Sequence, residues 1–105
     1  MEVIKKGSIE SLMVPLRDRL NNVDDLSVDV TNLRFDTKKK SDGGAVENNI
    51  SCAFDLPDNP MVAICSIDST LVAYVAGEEY KLYLKYTAGS ESPILGPVFF
   101  RIEDD

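Results

Sequence analysis

The sequence predicts an antiparallel β-sandwich of about seven strands, on three observations. Short runs rich in β-branched and aromatic residues alternate apolar and polar side chains at period two. Clusters of Gly, Pro, Asn and Asp punctuate those runs at intervals that suit short strands. A chain of 105 residues is the size of one domain and buries roughly 65% of its unfolded surface, enough for a single core spanning 1–105.

Strands are expected near residues 2–6, 10–17, 26–36, 47–55, 61–67, 80–86 and 97–103. In the second, Leu12, Val14 and Leu16 alternate with Met13, Pro15 and Arg17. Ile9, Leu12, Met13, Leu16 and Leu20 also fall at helical spacing behind Ser8, a residue suited to an N-cap. Pro15 decides for the strand, because it costs about 3 kcal/mol inside a helix and is accepted on a sheet edge. Turns follow at Asn21-Asn22 and Asp24-Asp25. Beyond 26–36, the stretch Thr37 to Ala45 holds Lys38-Lys39-Lys40 and Asp42-Gly43-Gly44, which reads as a charged, flexible tip.

The runs 47–55 and 61–67 flank Pro57-Asp58-Asn59-Pro60 and read as a hairpin. A register centred between residues 58 and 59 sets Leu56 against Met61, Phe54 against Ala63, Cys52 against Cys65, and Ile50 against Ile67. Every pair on that side is apolar, and a slip by one residue would turn the set outward. The other side, Asp55 with Val62, Ala53 with Ile64 and Ser51 with Ser66, is more polar. The cysteines become cross-strand neighbours, a redox pair or two reduced small hydrophobes. A cytoplasmic setting favours the second. Residues 68–76 fit either a strand or a short helical turn. In 80–86, Tyr80, Leu82, Leu84 and Tyr86 face one way and Lys81, Tyr83 and Lys85 the other. Thr87 to Pro97 reads as a loop stiffened by Pro93 and Pro97, and the last strand sets Val98, Phe100 and Ile102 opposite Phe99 and Arg101.

Composition removes several classes of function. Eighteen acidic against eleven basic side chains give a net charge of −7, which disfavours a grip on nucleic acid or anionic lipid. The longest apolar run, Leu71 to Ala76, is six residues, far short of the roughly 20 a membrane helix needs. Met1 to Lys6 lacks the apolar stretch of a secretory leader, so a cytoplasmic product is expected and the sequon Asn49-Ile50-Ser51 carries no meaning. There is no histidine, which excludes imidazole acid–base work and His-containing zinc sites, and two cysteines cannot complete a thiolate site. No phosphate-binding glycine loop is present. Asp24-Asp25, Glu78-Glu79 and Glu103-Asp104-Asp105 lack EF-hand spacing and read as solvated charge, as does the Lys38 to Lys40 run. Neither catalytic residues, metal nor cofactor is expected.

Outward Tyr83 and Phe99, ringed by Lys81, Lys85 and Arg101, have the composition of a contact patch. Ser92, Pro93, Ile94 and Leu95 on the adjoining loop complete the candidate interface. The competing reading is that lysine stems or a neighbouring loop shield the rings. An open aromatic face would also suit a sugar ring.

Ile4-Lys5-Lys6-Gly7-Ser8, the later Tyr80-x-Leu82-x-Leu84 and the closing Glu91-Ser92-Pro93-Ile94-Leu95-Gly96-Pro97-Val98-Phe99-Phe100 follow one another in an order that resembles the small immunoglobulin-like β-sandwich proteins of tailed-phage virions, such as upper-baseplate N-terminal domains and tail or head accessory proteins. Glu78-Glu79 between Gly77 and Tyr80 departs from that pattern by lengthening the corner. The resemblance implies an immunoglobulin-like, non-enzymatic structural part of a virion, assembled in the host cytoplasm. Its partners would be other virion proteins and copies of itself. A carbohydrate-binding or host-adhesion module is the alternative.

Overall fold

The computed structural model describes residues 1–15, 30–55, 59–88, 92 and 94–104. Among the described residues period-two patterning produces eight strands: β1 (Glu2–Lys5), β2 (Ile9–Pro15), β3 (Val30–Lys39), β4 (Ala45–Ser51), β5 (Ala53–Asp55), β6 (Asn59–Asp68), β7 (Glu79–Ala88) and β8 (Ile94–Glu103). A five-stranded sheet, ordered β1-β8-β7-β3-β4, faces a three-stranded sheet ordered β2-β6-β5. The pattern is immunoglobulin-like, with B, E and D equivalents in one layer and G, F, C and C′ equivalents in the other. One pairing corrects the purely antiparallel expectation: β1 runs parallel to β8, from Glu2 opposite Phe100 to Lys5 opposite Glu103.

The core lies between the layers. Ile4, Phe35, Leu82, Leu84, Phe100 and Ile102 from the large sheet meet Leu12, Val14, Ala63, Cys65 and Ile67 from the small one, all buried. Pro15 ends β2, which among the described residues pairs only with β6, so the proline sits on an edge as its missing N–H requires. The expected turns at 21–25 and the strand residues 16–17 and 26–29 fall outside the described residues.

The run 47–55 is two strands because it changes sheets. Ile50 pairs with Phe35 in the large sheet, whereas Ala53 and Phe54 pair with Ile64 and Ala63 in the small one. Cys52 is the crossing point, its amide donating to the Leu33 carbonyl at 3.2 Å. The predicted hairpin register therefore holds at Ala53 and Phe54 but fails at Ile50, which faces Phe35 and not Ile67. It also fails at Asp55, where a bulge places Asn59 opposite in place of Val62. Leu56 lies outside the described residues. Cys52 and Cys65 do meet, thiol to thiol, without a disulfide. Contact with Cys52 and burial both push the Cys65 thiol up, which leaves it inert.

Two expected loops are shorter than predicted. Thr37 to Lys39 belong to β3, because Thr37 is buried and pairs with Leu82, so the turn is confined to Lys40–Gly44. Ile94 to Pro97 belong to β8, leaving only residues 89–93 between β7 and β8. A bulge admits Pro97 into that strand: Val98 pairs with Leu82 and Leu95 with Leu84, so Gly96 and Pro97 lie across from Tyr83. On its other side β8 gains β1 as a neighbour only from Phe100 onward, so Pro97 interrupts no ladder there. Gly96 has φ +121°, and a Cβ at this position would stand 2.7 Å from the Leu82 carbonyl oxygen.

Of residues 68–76, left open by the sequence, Asp68 ends β6 and the rest belong to successive turns, 69–78, that carry the chain from the small sheet to the large one. Tyr80, second residue of β7, fixes them: its hydroxyl accepts from the Val75 amide at 2.7 Å and donates to the Ala73 carbonyl at 3.1 Å. This is the tyrosine corner of immunoglobulin-like sandwiches. The Lys6 ammonium donates to the Leu71 and Tyr74 carbonyls at 2.8 and 2.6 Å, and buried Ser69 accepts from the Ser8 amide at 2.9 Å. The β1–β2 turn and the crossing thus hold each other.

Tyr80→Phe, which keeps the ring and deletes both hydroxyl bonds, should lower the free energy of unfolding by about 1 kcal/mol in urea titration. Gly96→Ala should cost more, on the order of 1–3 kcal/mol, because the left-handed backbone and the Leu82 carbonyl both oppose a Cβ.

Candidate functional site

The outward positions of β3, β7 and β8 form one face. Lys81 pairs with Phe99 and with Lys38, Tyr83 with Asp36, and Lys85 with Ile94 and Arg34, so the aromatic residues and cations interleave across three strands. Phe99 is 39% exposed and Ile94 57% exposed, while Tyr83 is half-buried. The Lys38 ammonium lies 5.6 Å from the Tyr83 ring centroid and Lys40 lies 5.5 Å from that of Phe99. Both come from β3 and its turn, not from the Lys81, Lys85 and Arg101 set that the sequence placed around the rings.

The predicted site residues divide. Lys85 bridges to the Asp36 carboxylate at 2.8 Å and donates to the Asn49 side-chain oxygen at 2.6 Å. Partial burial opposes ionisation of Asp36, yet Lys85 and the Asn49 amide hold its carboxyl below the usual range. Arg101 lies 3.6 Å from Glu103, and Lys40 bridges Glu79 at 2.8 Å, which lowers the Glu79 carboxyl. Asp36, Lys38, Tyr83, Lys85 and Ile94 line a shallow depression. Ser92 is exposed. Leu95 leaves the site, because it pairs with Leu84 and packs against the core. Pro93 falls outside the described residues.

A second constellation, invisible in the sequence, sits under the crossing. Tyr74 is buried, and its hydroxyl meets the Thr37 hydroxyl at 2.6 Å and donates to a Glu47 carboxylate oxygen. Burial raises the Glu47 carboxyl, the Tyr74 hydroxyl bond opposes this, and the Asp68 charge adds to the rise. Burial and the Glu47 bond both push the Tyr74 phenol up, so it stays protonated and donates. The chain Thr37–Tyr74–Glu47 is a satisfied structural network that ties β3 and β4 to the crossing. The one available signal was Tyr74 standing alone in an otherwise aliphatic stretch.

Among the described residues no group of three or more acidic or cysteine side chains could hold a metal ion, and no helix is long and apolar enough to cross a membrane. No protein-family model, curated protein or solved structure matches the chain significantly. The site is therefore read from its own geometry.

The raised Glu47 carboxyl means the folded state holds that proton more tightly than the unfolded state does. Its contribution is intact below the ordinary value of 4.5 and is lost as pH rises through the raised folded value. Relative to Glu47→Gln, the wild-type chain should lose stability as pH climbs from about 4 to 7. Parallel melts of both proteins across that range measure it.

Proposed function

We propose that this chain is a non-enzymatic structural subunit of a tailed-phage virion, working through protein–protein contacts made by the outer face of its five-stranded sheet. The observation that carries the reading is the composition of that face: Phe99 and Ile94 open to solvent, with Tyr83, Lys81, Lys85 and Arg101 between and beside them. Aromatics, aliphatics and arginine set among flexible cations are what protein interfaces gather. The immunoglobulin-like topology fits the resemblance drawn from the order of sequence features, which supplies the virion, assembled in the host cytoplasm, as the setting. A carbohydrate-binding module calls for rings lying open to a sugar; Lys38 and Lys40 over the two rings favour protein contact instead.

Light scattering of the purified chain, alone and after mixing with a particle-bearing lysate, tests this directly. Uptake into a large, protein-only complex is expected. Tyr83→Ser combined with Phe99→Ser should leave the monomer folded and abolish uptake. Normal uptake of that double variant would remove this face from the mechanism, and a monomer indifferent to particles would overturn the proposal and direct the search to glycans.

A further inference from the structure

The two outer faces of the sandwich carry opposite chemistry. On the large sheet Arg34, Lys38, Lys40, Lys81, Lys85 and Arg101 occupy outward positions on β7, β8, β3 and its turn, against three carboxylates, Asp36, Glu79 and Glu103. The small sheet has no lysine or arginine on any of its strands, β2, β5 or β6. Its outward carboxylates are Asp55 and Asp68. Met13, Ile64 and Ala53 are register partners and make an apolar row straight across its three strands. Met13 is 50% exposed, and Ile9 on the same side of β2 is 68% exposed. In a chain of net charge −7, cations have thus been gathered on one side of the sandwich and kept off the strands of the other.

We infer that the partner of each face is the opposite face of a second copy of this chain. The cationic, aromatic surface of the large sheet seats on the apolar surface of the next copy's small sheet, whose strands carry no lysine or arginine. Phe99 and Ile94 meet the Met13–Ile64–Ala53 row, and lysines at the margin meet Asp55 and Asp68. Pairing the large sheet's face with itself is disfavoured, because its six cations outnumber its three carboxylates and leave each copy with an excess of positive charge. Because the two surfaces lie on opposite sides of one molecule, the contact is heterologous and repeats, giving a ring if the rotation closes and a stack if it does not. This rests on the assembly reading above and deepens it by naming the chain itself as a partner.

Sedimentation velocity of the whole chain, up to about 1 mM, reads the contact. Concentration-dependent association that weakens about tenfold between roughly 50 and 500 mM NaCl is expected. Lys81→Glu with Arg101→Glu alters one face, and Met13→Lys with Ser66→Lys alters the other; all four positions face outward. Each double variant alone should be monomeric, while an equimolar mixture of the two should associate. A wild-type chain that is monomeric throughout overturns the inference, as does a double variant that dimerises by itself, the mark of a face paired with its own kind. Salt dependence of the wild type stands as an independent check should either variant fail to fold. A chain that enters particles yet never self-associates would sink this contact and leave the assembly reading standing; self-association without particle uptake would do the reverse.

Discussion

The sandwich depends on how the chain crosses from one sheet to the other after β6. Turns 69–78 close through the amides of Leu71, Tyr74 and Glu78 onto the carbonyls of Asp68, Leu71 and Val75, and side chains from elsewhere bind further backbone groups between them. Tyr80 satisfies the Val75 amide and the Ala73 carbonyl, while Lys6 satisfies the carbonyls of Leu71 and Tyr74. Tyr74 then points its ring into the core, 5.1 Å from that of Tyr80 and 6.0 Å from Phe100. Removing any one of these groups would leave backbone polar atoms to find water at the lip of an apolar core. The same tethering sets the start of β7, and β7 carries Lys81, Tyr83 and Lys85. Placement of the outer face therefore depends on the corner beneath it.

That face gains its character from a division of labour along each strand. Inward residues of β7 are uniformly buried, Tyr80, Leu82, Leu84 and Tyr86, so the outward set is free to vary without touching the core. The bulge at Gly96–Pro97 shifts β8 by a residue, which brings Ile94 opposite Lys85 and Phe99 opposite Lys81. The Lys38 and Lys40 ammonium groups lie over the aromatic rings, and charged side chains of this kind are a familiar means of keeping a sheet surface soluble. The strands of the opposite layer carry no lysine or arginine to give such cover, and Met13 stands open there.

Much of this was legible in the sequence where period-two alternation was clean. The faces of β7 and β8 were read correctly, as was Pro15 on an edge and the pairing of Phe54 with Ala63. What failed did so for tertiary reasons. Ile50 looked like a partner for Ile67 because alternation continues unbroken through Cys52, and nothing local marks a change of sheet. Lys38 and Lys39 looked like loop residues, yet buried Thr37 and the register with β7 hold them in a strand. Leu95 was assigned to a loop because Gly96 and Pro97 looked like its end, whereas a bulge takes them into β8 and turns Leu95 toward the core; bulges leave only a glycine as their trace. The Thr37–Tyr74–Glu47 network joins residues from three separate segments, beyond the reach of any periodicity. The absence of basic residues from β2, β5 and β6 was in plain view, but it becomes a surface only once those strands are known to be neighbours.

The passage of one continuous run through both layers at Cys52 has a mechanical consequence. Layers held only by side-chain packing separate when pulled normal to their planes, since dispersion contacts fail within an ångström or so of displacement. Here a load applied to the large sheet reaches the small one along covalent backbone from Ser51 to Ala53, and again through the tethered crossing at 69–78. Tension between the two outer faces is therefore shared between the core packing and these covalent crossings, which act in parallel with it and do not fail at small displacements.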